Sequence, residues 1–268
     1  MNILILGDIM GVSGCKAITS NLEKIINSKK IDFTIVNGEN AADDGRGITN
    51  KIVEDLFNKG VDVITSGNHI WDKNETTDLI SREKRLLRPH NLPEGSPGNG
   101  FGTFESKDKK FKVSVINLMG NVFMRKTEDV FKAAKKLQEK IILRKNSDFI
   151  VVDFHGEITS EKMAIGHFYD GKATALVGTH THVPTADTRI LEHGTAYQTD
   201  IGMCGDYNSV IGMNKENSIM KFFKDEKAEK HFPATGEATL SGVIVEANSN
   251  TGLANKVERF IFGGVLSN

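Results

Sequence analysis

Short, uninterrupted apolar segments alternate with amphipathic segments at the front of this chain, and this alternation constrains the fold more than any other feature. Strands are predicted at Asn2–Leu6, Phe33–Val36 and Val61–Thr65, with helices at Ile18–Asn27 and Thr49–Asn58 between them. Strands that are apolar at every position are typical of a mainly parallel sheet buried on both faces. The front of the chain therefore predicts an α/β fold.

The rest of the chain is richer in hairpins. Two predicted strands, Gly102–Glu105 and Phe111–Ile116, flank a charged run that is typical of a turn. The further predicted strands are Phe149–Val152, Ala175–Val177, Arg189–Leu191, Ala196–Gln198, Gly242–Glu246 and Val257–Phe262, and the further helices are Glu128–Leu143 and Asn217–Phe223. A parallel front and a hairpin-rich back predict two sheets in a layered sandwich with helices outside.

The length and charge of the chain limit the number of domains and the classes of protein that it can represent. The chain has 268 residues and no segment that resembles a linker, so we expect residues 1–268 to form a single domain. With 34 Lys and Arg against 35 Asp and Glu, its net charge of -1 argues against a stable nucleic-acid complex and a polybasic membrane protein. Its two cysteines, Cys15 and Cys204, exclude a disulfide framework.

The apolar segment at the start, Ile3–Leu6, is broken by Gly7 and Asp8. It has no preceding basic region and is much shorter than the roughly 20 residues that span a bilayer. We therefore expect no membrane partner and a cytoplasmic protein.

Polar residues follow five of the predicted strands directly. These residues are Asp8, Glu39, Asn40, Asn68, His69, His155, His180 and His182. Because the carboxyl ends of strands in open α/β sheets lie along one edge, where ligands bind, we expect these side chains to gather there. A glycine lies near each of them and permits a sharp turn after the strand.

These residue types predict a metal site. Carboxylate, amide and imidazole donors without a thiolate suit Fe, Mn or Zn, and a carboxylate that bridges two ions suits a site with metals about 3.5–4 Å apart. Each residue alone has a simpler explanation: Asp8 can cap a helix, and a single histidine is more often a surface or core residue. The combination of clusters favours the metal site. Four histidines are predicted to lie outside it: His90, His167, His193 and His231.

Several of these clusters together resemble a known superfamily. Gly7-Asp8, Gly67-Asn68-His69 and His180-Thr181-His182 resemble the block signature of calcineurin-like metallophosphoesterases. More closely, the segments Gly7–Gly11, Asn37–Ala42 and Asp153–Glu157 resemble the bacterial YmdB-like family. The resemblance spans the whole chain, and its short motifs are specific in combination.

Two departures from the wider superfamily point to this subfamily. Met10 stands where the first block usually has a histidine, and Glu39 replaces the usual second-block aspartate, with Asn40 beside it. Both are similar to the YmdB-like pattern, and they weigh against a protein phosphatase.

The resemblance implies an α/β/β/α sandwich with two mixed sheets and two metal ions, Fe or Mn, with Zn as a further option. The first ion would be held by Asp8, Glu39, Asn40 and His182, and the second by Glu39, Asn68, His155 and His180. His69 would give a proton to the leaving oxygen.

The implied activity is hydrolysis of 2′,3′-cyclic nucleotides and other small phosphodiesters by a hydroxide shared between the two metals. Arg88–Gly100 and Met119–Arg125 are expected to line the substrate pocket, and a homo-oligomer is among the states that the resemblance allows. Two alternatives stay open: a phosphomonoesterase or nucleotidase on the same site, and a non-enzymatic regulatory protein that binds metal.

Overall fold

Two six-stranded sheets form the centre of the protein, whose computed structural model describes residues 1–266. In chain order the strands are β1 (Asn2–Ile9), β2 (Phe33–Asn37), β3 (Val63–Thr65), β4 (Phe101–Glu105), β5 (Lys112–Met119), β6 (Phe149–His155), β7 (Ala175–Thr179), β8 (Arg189–Ile190), β9 (Ala196–Gln198), β10 (Met203–Cys204), β11 (Leu240–Ala247) and β12 (Ala254–Phe262). The helices are α1 (Gly11–Lys29), α2 (Asn50–Asn58), α3 (Thr76–Arg82), α4 (Val130–Lys140), α5 (Thr159–Tyr169) and α6 (Lys215–Phe222).

Both sheets are mixed, as the family resemblance implied. The first has the order β12-β11-β1-β2-β3, and β10 pairs with the end of β1. Its β1, β2, β3 and β10 are parallel. β11 runs antiparallel to β1, and β12 runs antiparallel to β11. The second sheet has the order β4-β5-β6-β7-β9-β8, with antiparallel pairs only at its two edges.

The division of the chain between the sheets differs from the predicted one. The sequence suggested that the front of the chain forms one sheet and the hairpin-rich back forms the other. Instead, the closing hairpin β11–β12 joins the first sheet, where Ile3 pairs with Val245, and the middle of the chain forms the second sheet. Which strand lies beside β1 depends on contacts between distant parts of the chain, and strand periodicity carries no information about them.

Alternate residues of each central strand point into two different apolar layers. In β1, Ile3 and Ile5 pack between the sheets, whereas Leu4 and Leu6 pack against the helices on the outer face. The same alternation divides β6, since Val151 faces the other sheet and Ile150 packs towards α4 and α5. These three apolar layers hold four layers of secondary structure together and explain why the central strands are apolar throughout.

Two helices were not predicted, α3 and α5. The periodicity of α5 is obscured because Glu161 and Lys162 are buried in it, so polar residues stand at core positions. The helix predicted at Ile18–Asn27 begins earlier, at Gly11, directly after β1. Within residues 1–266, every helix is too short or too polar to cross a bilayer.

Candidate metal centre

The predicted polar residues lie where the carboxyl ends of the two sheets meet. In the first sheet, Asp8 lies in β1, Glu39 follows β2 and Asn68 follows β3. His155 ends β6 and His180 follows β7 in the second sheet. The expectation of a single sheet edge is therefore corrected: two edges face each other, and each contributes part of the cluster.

A β-bulge in β1 turns Asp8 towards the second sheet. The register between β1 and β2 shifts between Leu6 and Asp8. Leu6 and Ile9 both pack on the helix side, whereas Asp8 Oδ1 lies 3.7 Å from His155 Nδ1. Regular alternation would place Asp8 on the same face as Leu6, so the bulge is what directs this carboxylate into the cluster.

A buried polar layer between the sheets supports His155. Asp153 accepts hydrogen bonds from Asn37 Nδ2 at 3.0 Å, from Thr65 Oγ1, and from Thr179 Oγ1 at 2.7 Å. Thr179 Oγ1 also lies 3.0 Å from His155 Nδ1. Because Thr179 donates its one hydroxyl hydrogen to Asp153, it must accept from His155 Nδ1. This bond directs Nε2 of the ring into the cluster.

Three groups surround His155 Nε2. Glu39 Oε1 lies 3.0 Å from it, and Asn68 Oδ1 and His180 Nδ1 each lie 3.1 Å from it. One ligand atom from each of Glu39, His155 and His180 lies within 4.8 Å of the others, a spacing that can hold a metal ion. The structure thus brings together the four residues that the resemblance assigns to the second ion.

Asn40 and His182 form a neighbouring pair, with 3.3 Å between Asn40 Oδ1 and His182 Nε2. Asn40 Nδ2 donates to the carbonyl of Gly45 at 2.8 Å, and His182 Nδ1 donates to the carbonyl of Ile211 at 2.7 Å. These two bonds set the orientation of both side chains. In the neutral imidazole, two acceptor atoms then face each other, an arrangement that a cation stabilises.

Two further observations show that these residues fit a metal. Asp8 Oδ2 accepts from the backbone N–H of His180 at 3.1 Å, but among the described residues its fully buried Oδ1 has no hydrogen-bond partner, which is costly for a carboxylate. At Gly67, a Cβ would lie 2.2 Å from His155 Cδ2 and 2.3 Å from Glu39 Oε2, so the backbone passes too close for a side chain. The oxygen and imidazole donors suit Fe, Mn or Zn.

Burial and neighbouring charges shift the pKa values of these groups. Burial raises the pKa of Asp8 to about 6. Burial also opposes the charges on Glu39 and His155, but their ion pair outweighs it, so the pKa of Glu39 falls to about 2 and that of His155 rises to about 9. Burial and the charge on His155 lower the pKa of His180 to about 3. His180 is therefore neutral, and a metal that binds His155 must displace a proton from it.

The segment that carries His180 and His182 is strained. Both residues have left-handed backbone angles, with φ of 100° and 65°, which cost about 1–3 kcal/mol each. A buried ion pair supports this segment, since Lys162 Nζ donates to Asp200 Oδ2 at 2.6 Å. The same carboxylate oxygen accepts from the backbone N–H of Thr181 at 3.1 Å and so holds the strained segment in place.

His69 lies beside the cluster. Its backbone N–H donates to Glu39 Oε2 at 3.1 Å, while its ring Nδ1 lies 2.7 Å from Asp72 Oδ2. The other oxygen of Asp72 lies 3.6 Å from Arg125 Nη2. The His69 side chain is 23% exposed, so it is accessible to a small molecule, whereas Glu39 and His155 are buried.

Five groups that support the cluster were given no role from the sequence: Asp72, Asp153, Glu157, Thr179 and the carbonyl of Ile211. Glu157 Oε2 lies 3.1 Å from His180 Nε2. Asp153 and Glu157 belong to the same five-residue motif as His155, so this motif could have predicted that they lie beside the cluster. Asp72 and Ile211 have no such signal, since loop geometry alone brings them to the histidines.

Comparisons with known proteins indicate one family. A family model described as YmdB-like protein matches residues 4–260. A Bacillus subtilis (strain 168) protein named 2′,3′-cyclic-nucleotide 2′-phosphodiesterase is 44% identical to this chain over 261 residues, which cover 97% of this chain and 97% of that protein.

Solved structures share the fold. A Mycoplasma pneumoniae protein described as a novel phosphatase superposes with a TM-score of 0.90 at 38% identity, covering 98% of this chain and 93% of that chain. A 5′-nucleotidase from Candida albicans SC5314 gives a TM-score of 0.59 at 13% identity, covering 97% of this chain and 51% of that one, and this likeness concerns the fold alone.

Proposed function

Since this chain belongs to the YmdB-like protein family, we propose that it is a metal-dependent phosphodiesterase that hydrolyses 2′,3′-cyclic nucleotides. The observation that carries the proposal is the close grouping of Glu39, His155 and His180, with His69 held beside them by Asp72. Metal-binding donors next to a side chain that can carry a proton suit the hydrolysis of a phosphate ester. The name of the Bacillus subtilis relative supports the choice of substrate.

The proposal includes a dinuclear centre of Fe or Mn, with Zn as a further option. The first ion would be held by Asp8, Glu39, Asn40 and His182, and the second by Glu39, Asn68, His155 and His180. When bound, the ions supply Lewis-acid activation of water and neutralise charge on the phosphate. Two observations support this assignment: the facing acceptors of Asn40 and His182, and the Asp8 oxygen that has no hydrogen-bond partner within residues 1–266.

His69 is proposed as the general acid. Asp72 accepts a hydrogen bond from Nδ1 of the ring, which orients the imidazole and leaves Nε2 to carry the transferred proton. In the reaction, a water molecule releases one proton to solvent and its oxygen bonds to phosphorus, while the bond from phosphorus to one ribose oxygen breaks. His69 gives its proton to that ribose oxygen, and the product is a nucleoside monophosphate.

The test replaces His69 with Ala and measures metal content and turnover separately. We expect the metal content to stay unchanged, because the ring of His69 bonds to Asp72, and turnover of 2′,3′-cyclic AMP to fall roughly 10²–10⁴-fold. His193→Ala, at an exposed histidine, is the matched control and should keep full activity. Unchanged turnover in His69→Ala would rule out the general-acid role.

The choice of substrate decides between this function and the alternatives. Purified protein loaded with Mn²⁺ or Fe²⁺ is assayed against 2′,3′-cyclic AMP, 3′,5′-cyclic AMP, a phenyl phosphodiester and a phosphomonoester. Preference for the monoester would favour a phosphomonoesterase. Full metal loading without turnover of any of the four would favour a metal-binding regulator.

We also propose that the chain acts as one domain in the cytoplasm. The apolar layer between the sheets includes residues from both, such as Ile5 and Val151, so the two sheets share one core layer. Both cysteines are free thiols, which suits a reducing compartment.

A further inference from the structure

The loop between β5 and α4, residues 120–129, begins beside the candidate metal centre. Met119, the last residue of β5, pairs with His155 in the sheet. The backbone N–H of Gly120 then donates to the carbonyl of His155 at 2.9 Å. The first residue of the loop therefore contacts a residue of the cluster.

Hydrogen bonds close the base of this loop. Asn121 donates its backbone N–H to Glu161 Oε1 at 2.9 Å, and its side-chain oxygen accepts from the backbone N–H of Val130 at 2.9 Å. Its Nδ2 donates to Thr127 Oγ1 at 2.7 Å. Because these bonds join the two ends of the loop, residues 122–126 form a tip that projects from a fixed base.

The tip reaches the other side of the candidate site. Arg125 lies 3.6 Å from Asp72, the carboxylate that bonds to His69. Phe123 is three residues after Gly120 and two before Arg125, so chain length places its Cα within about 11 Å and 7 Å of theirs. The backbone of Phe123 therefore belongs to a short tip between Gly120, which contacts His155, and Arg125, which lies beside the carboxylate that bonds to His69.

Phe123 itself has two unusual properties. Its ring is 85% exposed, and its backbone has a φ of 60°, a region that bulky residues rarely adopt. A single exposed phenylalanine is ordinary on a protein surface. A strained residue beside a candidate active site is different, because such strain collects at functional sites.

We propose that Phe123 is a stacking surface for the nucleobase of the substrate, and this inference rests on the proposed function. A base extends from the ribose away from the phosphate, so with the phosphate at the metal centre it can reach the tip of the loop. An exposed aromatic ring stacks on any base because every base has a π face. The site therefore favours nucleoside cyclic phosphates over cyclic phosphates without a base, and it discriminates little among the bases.

The test compares two substrates that share a five-membered cyclic phosphodiester, 2′,3′-cyclic AMP and glycerol 1,2-cyclic phosphate. For Phe123→Ala, we expect kcat/KM for 2′,3′-cyclic AMP to fall roughly 10–100-fold, mainly through KM. The value for glycerol 1,2-cyclic phosphate should stay unchanged, and Phe123→Trp should retain the wild-type preference. The control is Phe222→Ala, at a phenylalanine on α6 that is 82% exposed, and it should alter neither substrate.

The outcomes separate this inference from the proposed function. An equal loss on both substrates, or no loss on either, overturns the stacking role while the proposed activity stands. If the wild-type protein hydrolyses neither substrate, the proposed function fails, and calorimetry with adenosine 2′-monophosphate and ribose 5-phosphate then decides the stacking role. Tighter binding of the nucleotide that disappears in Phe123→Ala supports it, and equal binding of the two ligands rejects it.

Discussion

The two ends of the layer between the sheets are built from the same strands but from different residue types. At the amino end, alternate positions are apolar: Ile3, Phe33, Val63, Phe149 and Ala175. At the carboxyl end, the positions that face the other sheet are polar: Asp8, Asn37, Thr65, Asp153 and Thr179. Every one of these residues is buried. The same strands therefore form a buried apolar layer at their amino ends and a buried polar layer at their carboxyl ends.

The difference shows where stability and chemistry reside in this fold. Burial of each larger apolar side chain at the amino end, such as Ile3 or Phe149, contributes about 1.5–3 kcal/mol. The carboxyl end instead carries costs: Asp8 Oδ1 is buried without a hydrogen-bond partner among the described residues, and His180 and His182 have strained backbones. The apolar end thus supplies the stability that allows unfavourable polar geometry to persist at the other end.

The largest expected effect comes from removing the carboxylate that both ions would share. Glu39→Gln keeps an oxygen that can accept from the His69 N–H but loses the negative charge. Because each ion would stabilise the reaction by several kcal/mol, we expect kcat/KM to fall roughly 10⁴-fold, together with loss of metal. Metal analysis and phosphodiesterase assays on the same preparation measure both.

The control for this change is Glu157→Gln, which alters a carboxylate that is 48% exposed and bonded to His180. Because His180 is neutral, this contact is a hydrogen bond from its Nε2–H to an exposed carboxylate, and the glutamine oxygen can still accept it, so activity should fall about fivefold or less. If Glu39→Gln kept its metal and its turnover, the polar end would not be the source of the chemistry.

A substitution at the apolar end should lower the stability of the protein and leave its activity unchanged. Phe149 is fully buried and packs edge-on against Phe111, with 5.4 Å between ring centres. Phe149→Ala should lower the free energy of unfolding by about 3–5 kcal/mol, while kcat per folded molecule stays unchanged. Chemical denaturation gives the first quantity, and assays well below the melting temperature give the second.

Phe222→Ala, at an exposed phenylalanine, provides the reference and should change stability by about 0.5 kcal/mol or less. A loss of kcat in folded Phe149→Ala comparable to that of Glu39→Gln would mean that the two ends are not separable.

Much of this contrast could be predicted from the sequence because it depends on local pattern. Apolar strands followed directly by Asp8, Glu39 or His155 indicate both the buried sheets and their polar ends. The two mixed sheets of the sandwich were predicted from the family resemblance and are confirmed.

The rest depends on contacts between distant segments. The bulge that directs Asp8 and the pairing of β1 with β11 have no local signal. The bond from His182 to the Ile211 carbonyl joins two loops that lie 29 residues apart in the chain. Such contacts cannot be derived from periodicity, which describes one element at a time.

The smallest effect comes from converting one residue of the polar end to the type found at the apolar end. Thr179→Val keeps the shape of the side chain but removes the hydroxyl that links Asp153 to His155. Nδ1 of His155 then loses the bond that directs Nε2 into the cluster, so metal affinity should fall about 10–100-fold. Chelator competition measures this affinity. Thr179→Ser restores the hydroxyl and should recover the wild-type affinity, whereas a valine variant with full affinity would show that packing alone positions the ring of His155.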